Sequence, residues 1–164
     1  MSDDHKPFRV LFVCMGNICR SPAGEIIFRQ MVDEAGMTDL TRIDSAGTIG
    51  YHAGNPPDSR MSETLRNRGY TITGRSRQIT ARDLDEFDMI LVADQDNLAD
   101  VRSLGSDPTK LGHVQLLTDY CTDHEANHVP DPYYGGPSGF EKVADLVEDA
   151  CRNLLNKIAE IQRA

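Results

Sequence analysis

The segment C-M-G-N-I-C-R-S, Cys14–Ser21, combines groups that can bind an anion with a group that can attack it. Arg20 carries a planar guanidinium that matches the geometry of a phosphate group. Gly16 and Asn17 tolerate left-handed backbone conformations, which turn successive N–H groups towards a bound anion. The Cys14 thiol, beside this positive field, is expected to ionise readily. The segment therefore indicates a phosphate site with a nucleophile, although two nearby cysteines also fit a metal site or a redox pair.

The flanking residues predict how this segment is positioned. Phe8–Val13 is short, apolar and rich in aromatic and β-branched residues, which is typical of a buried strand. Ser21 is a favoured N-cap residue and Pro22 suits the first helical position, so we expect a helix to begin there. A loop between a strand and a helix N-terminus directs backbone N–H groups and the helix dipole towards an anion.

Further along the chain, predicted strands alternate with predicted helices. The expected strands are Ile43–Ala46, Asp88–Ala93 and His113–Leu117, and the expected helices begin near Asp58, Gln95 and Ser138. This alternation predicts an α/β fold in which helices cover both faces of a parallel sheet. Ligands of such folds bind at the carboxyl ends of the strands, where the loop after Val13 would lie.

The bulk properties limit the classes of function. The chain has 164 residues, of which 39% are apolar, which fits one compact domain. Its 17 basic and 26 acidic residues give a formal net charge of -9, which argues against binding nucleic acid or an anionic membrane. No stretch is long enough to span a membrane or to act as an export signal, so we expect a cytoplasmic protein whose cysteines stay reduced.

The motif Cys-x5-Arg-Ser resembles the signature of cysteine-dependent phosphatases, and the fuller C-M-G-N-I-C-R-S-P resembles the low-molecular-weight protein tyrosine phosphatase family. The resemblance extends from Phe8 to Ile161. It implies a three-layer α/β domain over residues 1–164, with a four-stranded parallel sheet of flavodoxin-like topology and a flexible tail at residues 1–7. It also implies hydrolysis of phosphotyrosine through a phosphocysteine intermediate, without a metal or cofactor.

The resemblance assigns a role to each residue of the motif. Cys14 would be the nucleophile, Arg20 would bind the phosphoryl oxygens, and Ser21 would donate a hydrogen bond to the thiolate. Asn17 would hold the loop in shape with help from Ser45, a serine that otherwise reads as a strand-end turn residue. The phosphate-binding residues would be Met15, Gly16, Asn17, Ile18, Cys19 and Arg20.

A general acid is also needed, because a phenolate or alkoxide leaves slowly without a proton. The segment V-P-D-P-Y-Y-G-G resembles the family's Asp-Pro-Tyr-Tyr segment and offers Asp131 for this role. The two flanking prolines restrict Asp131 to an extended conformation. It would protonate the leaving oxygen and then take a proton from the water that hydrolyses phosphocysteine.

The resemblance also implies residues around the site. Tyr51, Tyr133 and Tyr134 would form the walls of the substrate cleft, although ordinary loop packing would explain any one of them. Asp94 follows a predicted strand and would either support the site or cap the next helix. One departure is visible: Gly74 stands where the family often has a histidine linked to the asparagine network, so the support of the loop remains open.

Four alternatives compete with a tyrosine phosphatase. A metal site would need further Cys or His ligands in paired spacing, and the chain offers none. An arsenate reductase would need two more cysteines near the middle of the chain, which Cys121 and Cys151 do not match. A protein-arginine phosphatase would tend to have threonine at Ile18 and one aromatic residue after Asp-Pro. A non-catalytic phosphate-binding module would not require both Cys14 and Asp131.

Three further expectations complete this interpretation. Cys19 is close enough to Cys14 in sequence for a reversible disulfide that protects the nucleophile from over-oxidation. The partners would be a phosphotyrosine-containing protein and a cognate tyrosine kinase. The chain is expected to be a monomer.

Overall fold

The sheet consists of four parallel strands in the order β2-β1-β3-β4, which matches the first four positions of the flavodoxin-like order. A computed structural model describes residues 6–163, so most of the predicted N-terminal tail lies outside the described residues. The strands are β1 (Phe8–Cys14), β2 (Thr41–Gly47), β3 (Met89–Val92) and β4 (Val114–Leu116). The helices are α1 (Arg20–Glu34), α2 (Ser59–Asn67), α3 (Asp83–Glu86), α4 (Gln95–Arg102) and α5 (Pro137–Arg163).

Helices cover both faces of this sheet. Alternate residues of a strand point to opposite faces, and β1 contributes to a separate core on each side. Phe12 of β1 is buried in the core that α1, α2 and α5 form with the sheet. Val13 is buried in a second core, which includes Leu84 of α3 and Val101 of α4. The predicted α/β fold with a covered parallel sheet is confirmed.

One local prediction needs correction. Helix α1 begins at Arg20, and Ser21 is not its N-cap, because the Ser21 hydroxyl faces Cys14 rather than the backbone of the helix. Helix α3 is a single turn that the sequence does not predict, because four residues are too few to show a periodic apolar pattern. The strand and helix bounds otherwise agree to within a few residues with those expected from the sequence.

Candidate active site

The phosphate loop, residues 14–20, connects the carboxyl end of β1 to the N-terminus of α1. Cys14 is the last residue of β1 and only 2% exposed. It lies at the base of a cleft of about 330 Å³, lined by the phosphate loop, by residues 49–52 and by a segment that includes Asp131. Its Sγ atom is 3.0 Å from the Ser21 hydroxyl, which can therefore donate a hydrogen bond to a thiolate. The structure thus places side by side the two residues that the sequence predicts as nucleophile and hydrogen-bond donor.

Asn17 fixes the shape of the phosphate loop from behind. Its φ of 56° lies in the left-handed region, which asparagine tolerates better than most residues. Its Nδ2 atom donates to the Ser21 hydroxyl at 2.7 Å and to the Ser45 hydroxyl at 3.0 Å. Its Oδ1 atom accepts the backbone N–H of Arg77 at 3.0 Å. The structure thus brings together Asn17, Ser21 and Ser45, three residues that the family resemblance groups.

Glu25 extends this network and was missed in the sequence. The Ser45 hydroxyl donates to Glu25 Oε1 at 2.6 Å, and Arg29 Nη2 donates to Glu25 Oε2 at 2.8 Å. Gly74, with a φ of 96°, passes close by, so that a Cβ atom there would lie 3.6 Å from Glu25 Oε2. The support of the phosphate loop therefore ends on a buried carboxylate. The local sequence does not predict this role of Glu25, because its partner Ser45 is 20 residues away along the chain.

Arg20 is held by two fixed acceptors. Its side chain is 5% exposed, and Nη1 donates to Asp94 Oδ2 at 2.7 Å and to the Val129 carbonyl at 3.0 Å. Burial lowers the pKa of Arg20, but the electrostatic interaction with Cys14 and the hydrogen bond and charge of Asp94 raise it more, so the net shift is upward. Arg20 is thus a permanent cation at the cleft. Asp94 makes the contacts that both predicted roles need, since Oδ2 accepts from Arg20 and Oδ1 caps α4 through the N–H of Asn97.

Asp131 lines the same cleft from a separate segment of the chain. Its side chain is 40% exposed, and Oδ1 accepts the backbone N–H of Tyr133 at 3.1 Å. Its Oδ2 atom lies 4.0 Å from Arg20 Nη2. The carboxyl group is therefore open to substrate and close to the cation that would hold the phosphate, which is the geometry a general acid requires.

Exposed apolar side chains surround the mouth of the cleft. Tyr51 and Tyr134 are 83% and 94% exposed, and Tyr133 packs edge-to-face against Tyr134 with 5.0 Å between ring centroids. All three predicted wall residues therefore line the cleft. Ile49 and His52 line it too and were not predicted, because neither is part of a recognisable motif.

The two cysteines of the phosphate loop occupy different environments. Both are free and buried. Burial raises the pKa of the Cys19 thiol, and the Asp58 carboxylate raises it further. Cys19 thus remains a neutral thiol at neutral pH, which suits it poorly to be the nucleophile.

Within residues 6–163, no three His, Cys, Asp or Glu side chains are grouped closely enough to bind a metal ion. Over the same residues, no helix has the length and apolarity needed to cross a bilayer.

Comparison with known proteins agrees with this geometry. The family model "Low molecular weight phosphotyrosine protein phosphatase" matches residues 9–164. The chain is 43% identical to low molecular weight protein-tyrosine-phosphatase YfkJ of Bacillus subtilis, covering 91% of this chain and 94% of that protein. It is 41% identical to the low molecular weight phosphotyrosine protein phosphatase of Homo sapiens, covering 90% and 94%.

A solved structure gives the same result in three dimensions. The protein tyrosine phosphatase of Entamoeba histolytica, crystallised with Hepes in the active site, superimposes with a TM-score of 0.90 at 40% identity, covering 93% of this chain and 97% of that one. The chain belongs to the low molecular weight phosphotyrosine protein phosphatase family.

Proposed function

We propose that this chain hydrolyses phosphotyrosine in proteins, and small aryl phosphates, through a phosphocysteine intermediate on Cys14. The observation that carries the proposal is the convergence of three groups on one cleft: a buried thiol, a fixed guanidinium and an open carboxyl group, from Cys14, Arg20 and Asp131. Family membership supports the reaction class, because the cysteine-dependent mechanism is what this family performs.

In the first step, the Cys14 thiolate attacks phosphorus in line with the leaving oxygen. The backbone N–H groups of the phosphate loop and the Arg20 guanidinium hold the three equatorial oxygens, where negative charge is concentrated. Asp131, in its protonated form, gives its proton to the phenolic oxygen as the P–O bond breaks. The products are a neutral phenol, phosphocysteine and an Asp131 carboxylate.

In the second step, a water molecule attacks the phosphocysteine. The Asp131 carboxylate takes a proton from this water, so that hydroxide character develops at the attacking oxygen. The P–S bond breaks, and the Ser21 hydroxyl, 3.0 Å from Sγ, stabilises the departing thiolate. Inorganic phosphate leaves, and Asp131 is protonated again for the next cycle.

The cleft wall supports an aromatic substrate. Tyr51, Tyr133 and Tyr134 offer three aromatic faces around the mouth, where the ring of phosphotyrosine can stack. Ile18, which also lines the cleft, presents an apolar side chain to the substrate rather than the threonine expected of a protein-arginine phosphatase. Cys151, besides being too far along the chain to match the relay of an arsenate reductase, is fully buried in the core around α5, which does not suit the transfer of a disulfide to the surface.

The decisive experiment compares three proteins on p-nitrophenyl phosphate and on a phosphotyrosine peptide, without added metal. Wild type should hydrolyse both. Cys14→Ser should lose about 10⁴-fold or more in kcat, since the nucleophile is gone. Asp131→Ala should lose about 10²-fold or more on poor leaving groups. Full activity in the serine variant, or a preference for a phosphoarginine peptide, would overturn the proposal.

The cellular setting belongs to the same proposal. A thiol-dependent enzyme with four free cysteines works best in a reducing compartment, which supports the cytoplasm. A tyrosine kinase must supply the phosphoprotein substrate, and the chain acts as a monomer without binding nucleic acid or membrane.

A reversible Cys14–Cys19 disulfide would protect the nucleophile, and mass spectrometry after mild peroxide treatment should detect it. Sulfonic acid at Cys14 instead would count against this regulation.

A further inference from the structure

Asp131 lies on a segment, residues 128–136, that we name the acid loop. This loop is anchored two residues before Asp131, at Val129. The Val129 N–H donates to the Ala93 carbonyl at 2.8 Å, and the Val129 carbonyl accepts from Arg20 at 3.0 Å. The upstream side of Asp131 is thus tied to the end of β3 and to the phosphate loop.

A second anchor lies two residues after Asp131, at Tyr133. Arg60, in the first turn of α2, donates from Nη1 to the Tyr133 carbonyl at 3.0 Å. Its guanidinium carbon lies 5.0 Å from the centroid of the Tyr133 ring and 4.9 Å from that of Phe140. Arg60 therefore holds both the backbone and the ring of Tyr133, and does so between two aromatic faces.

Asp58 fixes Arg60 in turn. Its Oδ1 and Oδ2 atoms accept from Arg60 Nε at 3.2 Å and Nη2 at 3.0 Å, a two-pronged contact that sets the plane of the guanidinium. Asp58 also caps α2 and donates its own backbone N–H to the Ile18 carbonyl at 2.8 Å. A continuous path of contacts therefore runs from the phosphate loop, through Asp58 and Arg60, to the acid loop.

The orientation of the Asp131 carboxyl depends on this path. Its hydrogen bond at Oδ1 comes from the N–H of Tyr133, the residue whose carbonyl Arg60 holds. If Tyr133 moves, the donor to Asp131 moves with it, while the 4.0 Å separation from Arg20 leaves the carboxyl otherwise loosely held.

We propose that Arg60, held by Asp58, is a positioning residue that sets the Asp131 carboxyl for proton transfer, and so couples the acid loop to the phosphate loop. This inference rests on the proposed function, in which Asp131 is the general acid. Arg60 does not touch the reacting atoms, so its loss should act through Asp131 and leave the nucleophile unchanged.

The dependence of kcat/KM on the leaving group distinguishes a role of Arg60 in positioning Asp131 from a role in packing alone. The value of kcat/KM reports the steps up to loss of the phenol, and a general acid matters most when that phenol is a poor leaving group. The substrates would be phenyl phosphate, a poor leaving group, and p-nitrophenyl phosphate, a good one. The variants would be Arg60→Ala, Arg60→Lys, Asp131→Ala and the double variant Arg60→Ala/Asp131→Ala.

Arg68→Ala is the matched control. Arg68 follows α2 and makes ion pairs with Glu141, Asp145 and Glu148 of α5, so its loss weakens the packing of the same helix far from Asp131. Circular dichroism and a urea midpoint would verify that each variant folds.

We expect Arg60→Ala to lose about tenfold or more in kcat/KM on phenyl phosphate and less than about threefold on p-nitrophenyl phosphate. Arg60→Lys keeps the charge but not the planar fork, so it should lie between wild type and Arg60→Ala. Arg68→Ala should lower both values equally or not at all. In the Asp131→Ala background, removal of Arg60 should change phenyl phosphate hydrolysis by less than about threefold, because the group it positions is absent.

Equal losses on the two substrates, no loss on either, or a full Arg60→Ala effect in the Asp131→Ala background would overturn the proposal. Failure of the proposed function would look different. In that case Asp131→Ala itself would show no preference between leaving groups, or Cys14→Ser would remain active.

Discussion

The phosphate loop and the acid loop face the same cleft, but the rest of the chain holds them in different ways. Asn17, in the phosphate loop, is 1% exposed and has hydrogen-bond partners on three other segments. The Asp131 side chain is 40% exposed and takes its hydrogen bond from its own loop. One half of the site is built into the core, and the other is attached to it at Val129 and Tyr133.

This difference follows from what each loop must do. The phosphate loop must present several N–H groups to an anion in one arrangement, and a buried, fully bonded frame costs no reorganisation during the reaction. The acid loop must admit a protein substrate and must give and take a proton at an open face. A loop held at only a few points can admit a substrate, provided that the Asp131 carboxyl itself remains aligned.

The largest effect that separates the two halves is expected from Arg20→Lys. Lysine keeps the positive charge but cannot reach Asp94, the Val129 carbonyl and a phosphate oxygen with one planar fork. We expect kcat on p-nitrophenyl phosphate to fall about 10²- to 10³-fold, the loss typical of one misplaced oxyanion donor. Arg102→Lys, which is remote from the cleft, serves as control. A lysine variant with more than about a tenth of wild-type activity would contradict the view that geometry, not charge, is essential.

A smaller but still large effect is expected from Asn17→Gly. Glycine adopts the φ of 56° at no steric cost, so this variant removes the side-chain hydrogen bonds without adding backbone strain. We expect about 10- to 100-fold loss in kcat/KM and a lower urea midpoint, since Ser21 and Ser45 each lose a partner. Asn17→Ala, measured in parallel, adds the backbone strain. Wild-type activity in the glycine variant would mean that the buried network does not hold the loop.

The smallest effect is expected at the exposed end of the acid loop. Tyr134 is 94% exposed, so Tyr134→Ala should leave the thermal midpoint and kcat unchanged and raise KM for a phosphotyrosine peptide about two- to fivefold, as expected for one lost aromatic contact. Tyr133→Ala, which also removes the contact with Arg60, should have the larger effect. Equal effects of the two substitutions, or a loss of stability in Tyr134→Ala, would show that the loop is held differently.

The sequence predicted the fold better than it predicted the residues that hold the site in place. Residues 10–13 and 89–93 are continuous apolar runs, and such runs identify buried parallel strands without knowledge of tertiary contacts. Ser21 is a residue whose position the local sequence does not predict correctly. Serine favours the N-cap position, but Ser21 lies within the first turn of α1, where its hydroxyl faces Cys14.

The residues that the sequence did not reveal act across long distances along the chain. Glu25 lies on a helix and reads as an ordinary polar residue until Ser45 is placed beside it. Arg60 reads as a surface arginine near a helix start, yet its carbonyl partner on Tyr133 is 73 residues away. Neither has a local pattern, so only the packed structure brings them to the site.

The most direct test of the account is the identity of the residue that carries the phosphoryl group during turnover. Wild type, Cys14→Ser and Cys19→Ser would be quenched during hydrolysis of p-nitrophenyl phosphate and analysed as intact proteins by mass spectrometry. The account predicts the mass of one added phosphoryl group on wild type and Cys19→Ser, and none on Cys14→Ser. An adduct that survives in Cys14→Ser, or is lost in Cys19→Ser while turnover continues, would contradict it.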